Sequence, residues 1–387
     1  MKICVWGINY APELTGIAPY NQALCEFLVR RGHEVSVVTA FAYYPEWKKR
    51  PEDANQFFRT DDQKGVRVHR CWLYVPRRLS TLRRMIHEAS FVTTSLWHVL
   101  WKQKPDLFVV VSPPLLLGVA GWIASMVKRA PFVFHVQDLQ PDAAVGLGML
   151  KKGLLTKILY RVESFIYARA RKVSGISQGM LAMFRKKNVP DGKLIFFPNG
   201  VQLPVAMPER GCFRAKHGIA AEVFVALYSG NLGVKQGLDI LVEAARLLQN
   251  GKSEAAGKVR PIKIVIAGDG SRREYLEGMV KRLTLSNVLL LPLQEERAYR
   301  EMLSDSDCSV ITQQEGTGSF FFPSKLLTSL AVARPVICVA DEASELAKAC
   351  AAGGFGVNIL PNQADALADA ISSFARSGNS DDRVDRA

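Results

Sequence analysis

Three glycine-rich segments of this chain share one setting, each following an apolar, β-branched run and preceding a helical one. They are Tyr228-Ser229-Gly230-Asn231-Leu232-Gly233-Val234-Lys235-Gln236-Gly237, then Gly268-Asp269-Gly270 ahead of Arg272-Arg273, then Glu315-Gly316-Thr317-Gly318-Ser319 ahead of Pro323-Ser324-Lys325. Glycine lets backbone N–H groups approach an anion, a helix N-terminus adds positive potential, and basic side chains add charge. The set reads as a cradle for a pyrophosphate. A fourth loop, Asn9 to Ala18 with Gly16, follows the first apolar run; it suits an anion or an ordinary turn, and it lacks the GxGxxG of dinucleotide folds.

His135 ends the apolar run Phe132-Val133-Phe134, three residues before Asp138 and shortly before Pro141-Asp142. A histidine and an aspartate at a strand end can support a transition state and orient a hydroxyl. A satisfied core histidine is the competing reading. Asp305-Ser306-Asp307 has the spacing of a metal-binding DxD, but a helical segment precedes it and a strand follows, the reverse of that motif's setting. With no HExxH and no CxxC, no metal is expected.

The elements that must carry these residues alternate. In the first half, Lys2–Trp6, Glu34–Thr39, Leu107–Val111, Phe132–Val136, Lys172–Gly175 and Leu194–Phe197 read as buried strands, separated by helical stretches such as Asn21–Arg31, which Gly32 ends. The pattern implies parallel sheet. It restarts after Pro198-Asn199-Gly200, with strands at Phe224–Tyr228, Lys263–Ala267, Val288–Leu291, Cys308–Thr312 and Pro335–Val339. Helices fall at Gly237–Gln249, Arg273–Leu283, Glu295–Ser304 and Lys325–Val332. The expected organisation is an α/β domain over 1–203, a second over 204–363, a closing helix over 364–376 and a disordered tail over 377–387. Two doubly wound domains would face each other across a ligand-binding cleft.

The 387 residues are ample for two domains, and 48% hydrophobic with 22% charged residues is a globular balance. The net charge of +14 is unevenly spread, with 29 basic against 14 acidic residues up to residue 203 and 21 against 22 beyond it. Clusters at Arg77-Arg78, Arg83-Arg84, Lys102/Lys104, Lys128-Arg129, Lys151-Lys152 and Arg185-Lys186-Lys187 adjoin the apolar run Ala89–Trp101. They suggest docking on an anionic membrane surface. A nucleic acid would suit the charge but leaves the loops unexplained. Leu107–Val127 is uncharged and long enough to span a bilayer, but Pro113-Pro114 cuts it into a strand and a helix. Met1 to Gly7 is too short for a signal peptide and reads as the first strand. Seven cysteines without metal spacing read as buried thiols of a reducing cytoplasm.

The motifs YAPExTG, RRGHEVSVVT, FVFHVQDLQPD, FFPNGV, YSGNLGVKQGLDILVEAA, IVIAGDG and FPSKLLTSLAVARPVI follow one another in an order that resembles the GT-B glycosyltransferases of family 4 over nearly the whole chain. Within that family the likeness runs to the fucosyltransferases of colanic acid biosynthesis in enteric bacteria. It implies retaining, metal-independent transfer of a sugar from a nucleotide sugar, GDP-fucose, to an undecaprenyl-diphosphate-linked sugar on the inner face of the cytoplasmic membrane, with no cofactor. Residue by residue, it implies that Gly16, Gly230, Asn231, Lys235, Gly268, Glu315, Ser324 and Lys325 bind the donor and that His135 and Asp138 serve the reacting sugar. The chain departs from the family at Asn231, where an arginine is common, at Gln236, where a lysine is, and at Thr328, where the second of two glutamates would fall. A noncatalytic member of a polysaccharide assembly complex, and the same transferase with a UDP-sugar, are the alternatives.

Overall fold

The computed structural model describes residues 1–14, 16–78, 80–146, 153–201, 208–251, 260–318 and 325–376. The chain forms two compact units, Met1 to Asn199 and Gly200 onward.

The first unit runs β1 (Lys2–Trp6), α1 (Ala18–Arg30), β2 (Glu34–Ala40), β3 (Phe58–Gln63), β4 (Val66–Cys71), α2 (Thr81–Trp101), β5 (Leu107–Ser112), α3 (Leu117–Lys128), β6 (Phe132–Val136), α4 (Gln140–Gly146), α5 (Leu154–Arg169), β7 (Lys172–Gly175), α6 (Gln178–Lys186) and β8 (Leu194–Phe196). Its sheet has the order β3-β4-β2-β1-β5-β6-β7-β8. Ile3, Val5, Val35, Val37, Val66, Val68 and Val111 form one core cluster, filled from above by Cys25 of α1. Such strands are buried on both faces, which is why they read as unbroken apolar runs. The expectation of a wholly parallel sheet needs one correction: β3 pairs antiparallel with β4. FRTDDQ alternates exposed with half-buried positions, the pattern of an edge strand tied by a tight hairpin at Lys64-Gly65.

The second unit runs α7 (Cys212–Lys216), β9 (Phe224–Ser229), α8 (Asp239–Gln249), β10 (Ile262–Ala267), α9 (Arg273–Arg282), β11 (Val288–Leu291), α10 (Glu296–Asp305), β12 (Cys308–Thr312), α11 (Lys325–Ala331), β13 (Val336–Val339), α12 (Glu345–Gly353), β14 (Gly356–Ile359) and α13 (Ala364–Arg376). Its strands are all parallel, in the order β11-β10-β9-β12-β13-β14. The helix expected from Gly237 begins at Asp239, because Gly237 sits at φ +58 and ends a short 3-10 turn over Val234–Gln236. α12 and β14 are additions to the expected pattern. Leu367, Ile371 and Phe374 of α13 join the core around α8, so the last helix is part of this unit's interior. The tail over 377–387 lies outside the described residues, as do Lys151-Lys152 and the linker at 202–207. Six cysteines are buried; Cys212, on α7, is exposed, contrary to expectation.

In each sheet the strand order reverses direction around the first strand of the unit. β2 and β5 flank β1, and β10 and β12 flank β9. Loops that leave the carboxyl ends at such a point splay apart and open a crevice for a ligand. The loops so placed are those containing Gly16 and Gly230. Leu107–Val127 resolves into β5 and α3, and among the described residues no helix is long and apolar enough to cross a membrane.

Candidate active site

In the second unit the loops after β9 and β10 interlock through their backbones. Gly230 N donates to Ala267 O at 2.8 Å, Leu232 N to Asp269 O at 2.8 Å, and Arg272 N to Leu232 O at 2.8 Å. The approach is so close that a Cβ on Gly268 would land on the Gly230 carbonyl, and Gly268 holds φ +154. Only glycine fits both demands. The loop after β12 joins them, since Gln314 N donates to Lys235 O at 2.9 Å.

Lys325, the first residue of α11, reaches into this junction. Its Nζ lies 3.6 Å from the centroid of the Tyr228 ring and donates to the Tyr228 hydroxyl, and its stem fills the space a side chain on Gly230 would need. Burial lowers the Lys325 pKa well below that of an ordinary amine, and the nearby Lys235 lowers it further. Lys325 and Lys235 thus converge beside the glycine loops, and among the described residues Lys235 is the charge acting on Lys325. A half-buried amine beside a second lysine is held more easily as a cation once an anion arrives. The geometry suits a diphosphate.

The two arginines that the sequence places beside this loop serve other ends. Arg272 makes bonds of 2.7 Å to both oxygens of Asp239 and lies 3.7 Å over the Tyr275 ring, while Arg273 donates to Gly268 O and Leu291 O. They shape the loop. Asn231 stands against Gly270 and Gly233 and its carbonyl accepts from the Tyr228 hydroxyl at 2.7 Å. Glu315 is exposed on the loop after β12, and Ser324 lies outside the described residues. Thr328 donates to Lys325 O and bonds the Tyr299 hydroxyl, a helix-anchoring role. Asp305 accepts from the amides of Gly211 and Arg214, and Asp307 from Val225 N and Arg214 Nη2, so both are structural carboxylates. Among the described residues no cluster could hold a metal ion.

In the first unit, Gly16 stands at φ +68 under the ring of Tyr44, 3.5 Å from where its Cβ would be. That loop is fixed by residues that the sequence reading missed. Glu13 is buried and accepts from Asn9 Nδ2 at 2.7 Å and from the amides of Tyr43 and Tyr44 at 2.9 Å each. Burial raises its pKa to about 7 despite those bonds. Arg70, fully buried on β4, donates to Ala11 O at 2.7 Å and pairs with Asp61. The glutamate of the YAPExTG segment was a visible signal; the arginine, in an alternating strand, was not.

His135 is 3% exposed at the end of β6. Its Nδ1 bonds Ser174 Oγ at 2.9 Å and its Nε2 bonds Gln137 Nε2 at 2.8 Å. Gln137 and Asn199 exchange two amide hydrogen bonds, of 2.9 and 2.8 Å. With the Gln137 amide donating, Nε2 is the bare nitrogen and Nδ1 carries the proton. Burial lowers the ring's pKa to about 4, so it is neutral near pH 7. Asp138, half-buried in the following loop, acts electrostatically on Tyr44. Tyr44 therefore relates Asp138 to Gly16, and His135 stands in a separate network with Asn199.

Residues 15–200 match the glycosyl transferase 4-like domain and residues 210–387 the glycosyl transferases group 1. The provisionally named colanic acid biosynthesis glycosyl transferase WcaI of Escherichia coli K12 is 34% identical over 381 residues, covering 96% of this chain and 91% of the relative. A probable glycosyltransferase of Pseudomonas aeruginosa, WbjE, is 28% identical over 70% of this chain and 66% of its own. Sucrose-phosphate synthase from Thermosynechococcus elongatus superposes with a TM-score of 0.73 at 18% identity, over 99% of this chain and 94% of its own. Anabaena HepE, in complex with UDP and glucose, does so at 0.69 and 17% identity, over 99% and 92%.

Proposed function

Since the chain belongs to the group 1 glycosyltransferases of GT-B fold, we propose that it transfers fucose from GDP-fucose to an undecaprenyl-diphosphate-linked sugar, with retention, in the making of a colanic acid-like exopolysaccharide. The observation that carries the donor half is Lys325, a half-buried amine whose charged neighbour is a second lysine, set against the glycine loops. When the anomeric carbon parts from the diphosphate and bonds the acceptor oxygen, negative charge grows on the leaving group and the acceptor proton moves to it. Lysines and a helix start placed in advance stabilise that charge without reorganising. Gly230, Asn231, Lys235, Gly268, Glu315, Ser324 and Lys325 bind the donor, and the family likeness assigns Gly16 to the donor as well.

His135 and Asp138 serve the reacting sugar. The bare Nε2 of His135 exchanges the Gln137 amide for a sugar hydroxyl, and Asp138 orients the acceptor. The positive charge of the first unit favours an acceptor held at an anionic membrane on its inner, cytoplasmic face. No divalent metal takes part in this reading, and EDTA is expected to leave the rate unchanged.

Thermal unfolding against GDP, UDP, dTDP and CMP and their sugars tests the reading. A ligand at a hundred times its Kd adds about 2.7 kcal/mol to the folded state. Selective stabilisation by GDP and GDP-fucose is expected. Selective stabilisation by UDP keeps the enzyme class and replaces the donor, and no response to any nucleotide favours a noncatalytic member of the assembly machinery.

A further inference from the structure

The longest helix of the first unit leaves an apolar stripe exposed. On α2 the buried side mixes polar with apolar residues: His87, Thr94, Ser95 and His98 point inward together with Phe91 and Val99. The polar ones and Ser90 beside them are tied by hydrogen bonds to the irregular segment that follows β4. His87 bonds Tyr74 O at 2.5 Å, Thr94 Oγ1 donates to Trp72 O at 2.6 Å, and Ser90 Oγ accepts from Tyr74 N at 2.8 Å. Leu82, Met85, Ile86, Trp97 and Trp101, spaced by multiples of a helical turn, form the exposed stripe, with Trp97 58% and Trp101 74% exposed. An amphipathic helix on a globular core carries its apolar stripe inward. Here Phe91 and Val99 go inward among hydrogen-bonded polar side chains, and a second apolar stripe is left over.

The surroundings say what covers it. Lys128 Nζ donates to the carbonyls of Leu100 and Lys102, at 2.7 and 2.6 Å, locking the end of α3 beside the end of α2. Exposed Met126 and Val127 adjoin that junction. Arg77, Arg78, Arg83 and Arg84 stand at one end of the stripe and Lys102, Lys104, Lys128 and Arg129 at the other. The one acid within α2 is Glu88, which accepts from Gln140 and is away from the stripe. A second copy of the chain would bring the same positive ends against themselves, at a cost in repulsion. Tryptophan beside lysine and arginine is the chemistry of the bilayer–water boundary.

We propose that α2 is an in-plane membrane anchor, its apolar stripe seated in an anionic phospholipid bilayer with Trp97 and Trp101 at headgroup depth. The polar side chains of the inner face keep the helix on the surface, because they could not enter hydrocarbon. The inference gives the docking in the functional reading a specific surface, and it stands whichever nucleotide the second unit binds.

The test uses the full chain with vesicles of phosphatidylglycerol and phosphatidylethanolamine, and with phosphatidylcholine alone. The chain is expected to float with the anionic vesicles, and lipids brominated in the acyl chain should quench its tryptophan emission. The double variant Trp97→Ser/Trp101→Ser should bind at least tenfold more weakly, with its thermal unfolding and its response to nucleotide unchanged. Equal vesicle binding by the variant overturns the proposal. So does an absence of vesicle binding together with a dimer in sedimentation that the double variant abolishes, which would make the stripe a contact between copies. Nucleotide response is read separately, so loss of the donor reading would leave this result standing.

Discussion

Glu13 grips Tyr44 by its backbone, and Tyr44 in turn covers Gly16. The carboxylate accepts the Tyr44 amide at 2.9 Å, and the ring of the same tyrosine lies 3.5 Å from where a side chain on Gly16 would begin. One buried acid thus sets the shape of the loop at the sheet's crossover point.

That acid should leave a trace in stability. Its pKa is about 7 in the fold, raised by burial, against an ordinary value near 4.5. Ionising it costs more in the fold than in the unfolded chain, so its contribution is intact below about pH 4.5 and declines as pH rises through 7. Glu13→Gln removes the ionisation. Relative to wild type, the variant should gain on the order of 3 kcal/mol between pH 5 and pH 8 in urea unfolding. A difference that is flat with pH would show that the carboxylate is not strained by burial.

Lys325 should trade stability for binding. Lys325→Met removes a half-buried amine set beside Lys235, and the unliganded second unit should gain about 1–2 kcal/mol, a few degrees in Tm. The same change should weaken nucleotide binding by about 1.5–3 kcal/mol, roughly ten- to a hundredfold. Because the amine's pKa is depressed by burial and by Lys235, a bound diphosphate, which favours the charged form, should raise it again. Affinity in the wild type should therefore fall as pH rises, up to tenfold per unit, and the methionine variant should lose that slope. Titration calorimetry in buffers of different ionisation enthalpy would detect the proton; an equal heat in all buffers counts against its uptake.

Acid should unfold the first unit early. His69, His87, His98 and His135 are all buried there, and burial pushes each pKa down to about 4. The unfolded chain takes up those protons near pH 6.5, so stability is present above that value and lost as pH falls toward 4. All six tryptophans, at 6, 47, 72, 97, 101 and 122, lie in the same unit. Tryptophan emission should thus report a transition between about pH 6.5 and 4. Emission unchanged to pH 4 would mean that these rings are not held neutral.

His135→Ala tests the catalytic assignment. Transfer with saturating donor and acceptor should fall at least about a hundredfold, the usual scale for a lost proton or hydrogen-bond partner. Stability should drop by about 2–4 kcal/mol as Gln137 and Ser174 lose their shared partner, while nucleotide stabilisation of the second unit persists. Wild-type turnover in a folded variant would return His135 to the status of a core residue.

The parts legible in the sequence are those with a local cause. Alternating apolar runs and helical stretches gave both sheets, and a histidine at the end of an apolar run was placed at a strand's carboxyl end, where it stands. Asn199 could not be matched to Gln137, because the pairing crosses 62 residues of chain. Arg70 gave no sign either, since a strand VRVHRC shows which residues alternate and not that one of its arginines is buried against Ala11 O. Periodicity likewise fixes the apolar stripe of α2 but not the direction it faces; that depends on the polar partners at Trp72 and Tyr74. The arginines beside Gly270 looked like anion ligands until Asp239 and the Gly268 carbonyl claimed them.

The place of α13 in the second core bears on how the chain is made. The first unit is continuous from its first strand to Asn199, so its core can close while synthesis goes on. The second cannot close in the same way, because α8, complete at residue 249, packs against α13, which starts at residue 364. Through that interval the apolar faces of α8 and of β13 and β14 await their cover. A nascent chain stalled within it would expose this surface to chaperones, and stop codons shortly before residue 364 should yield a folded first unit fused to an aggregation-prone partner.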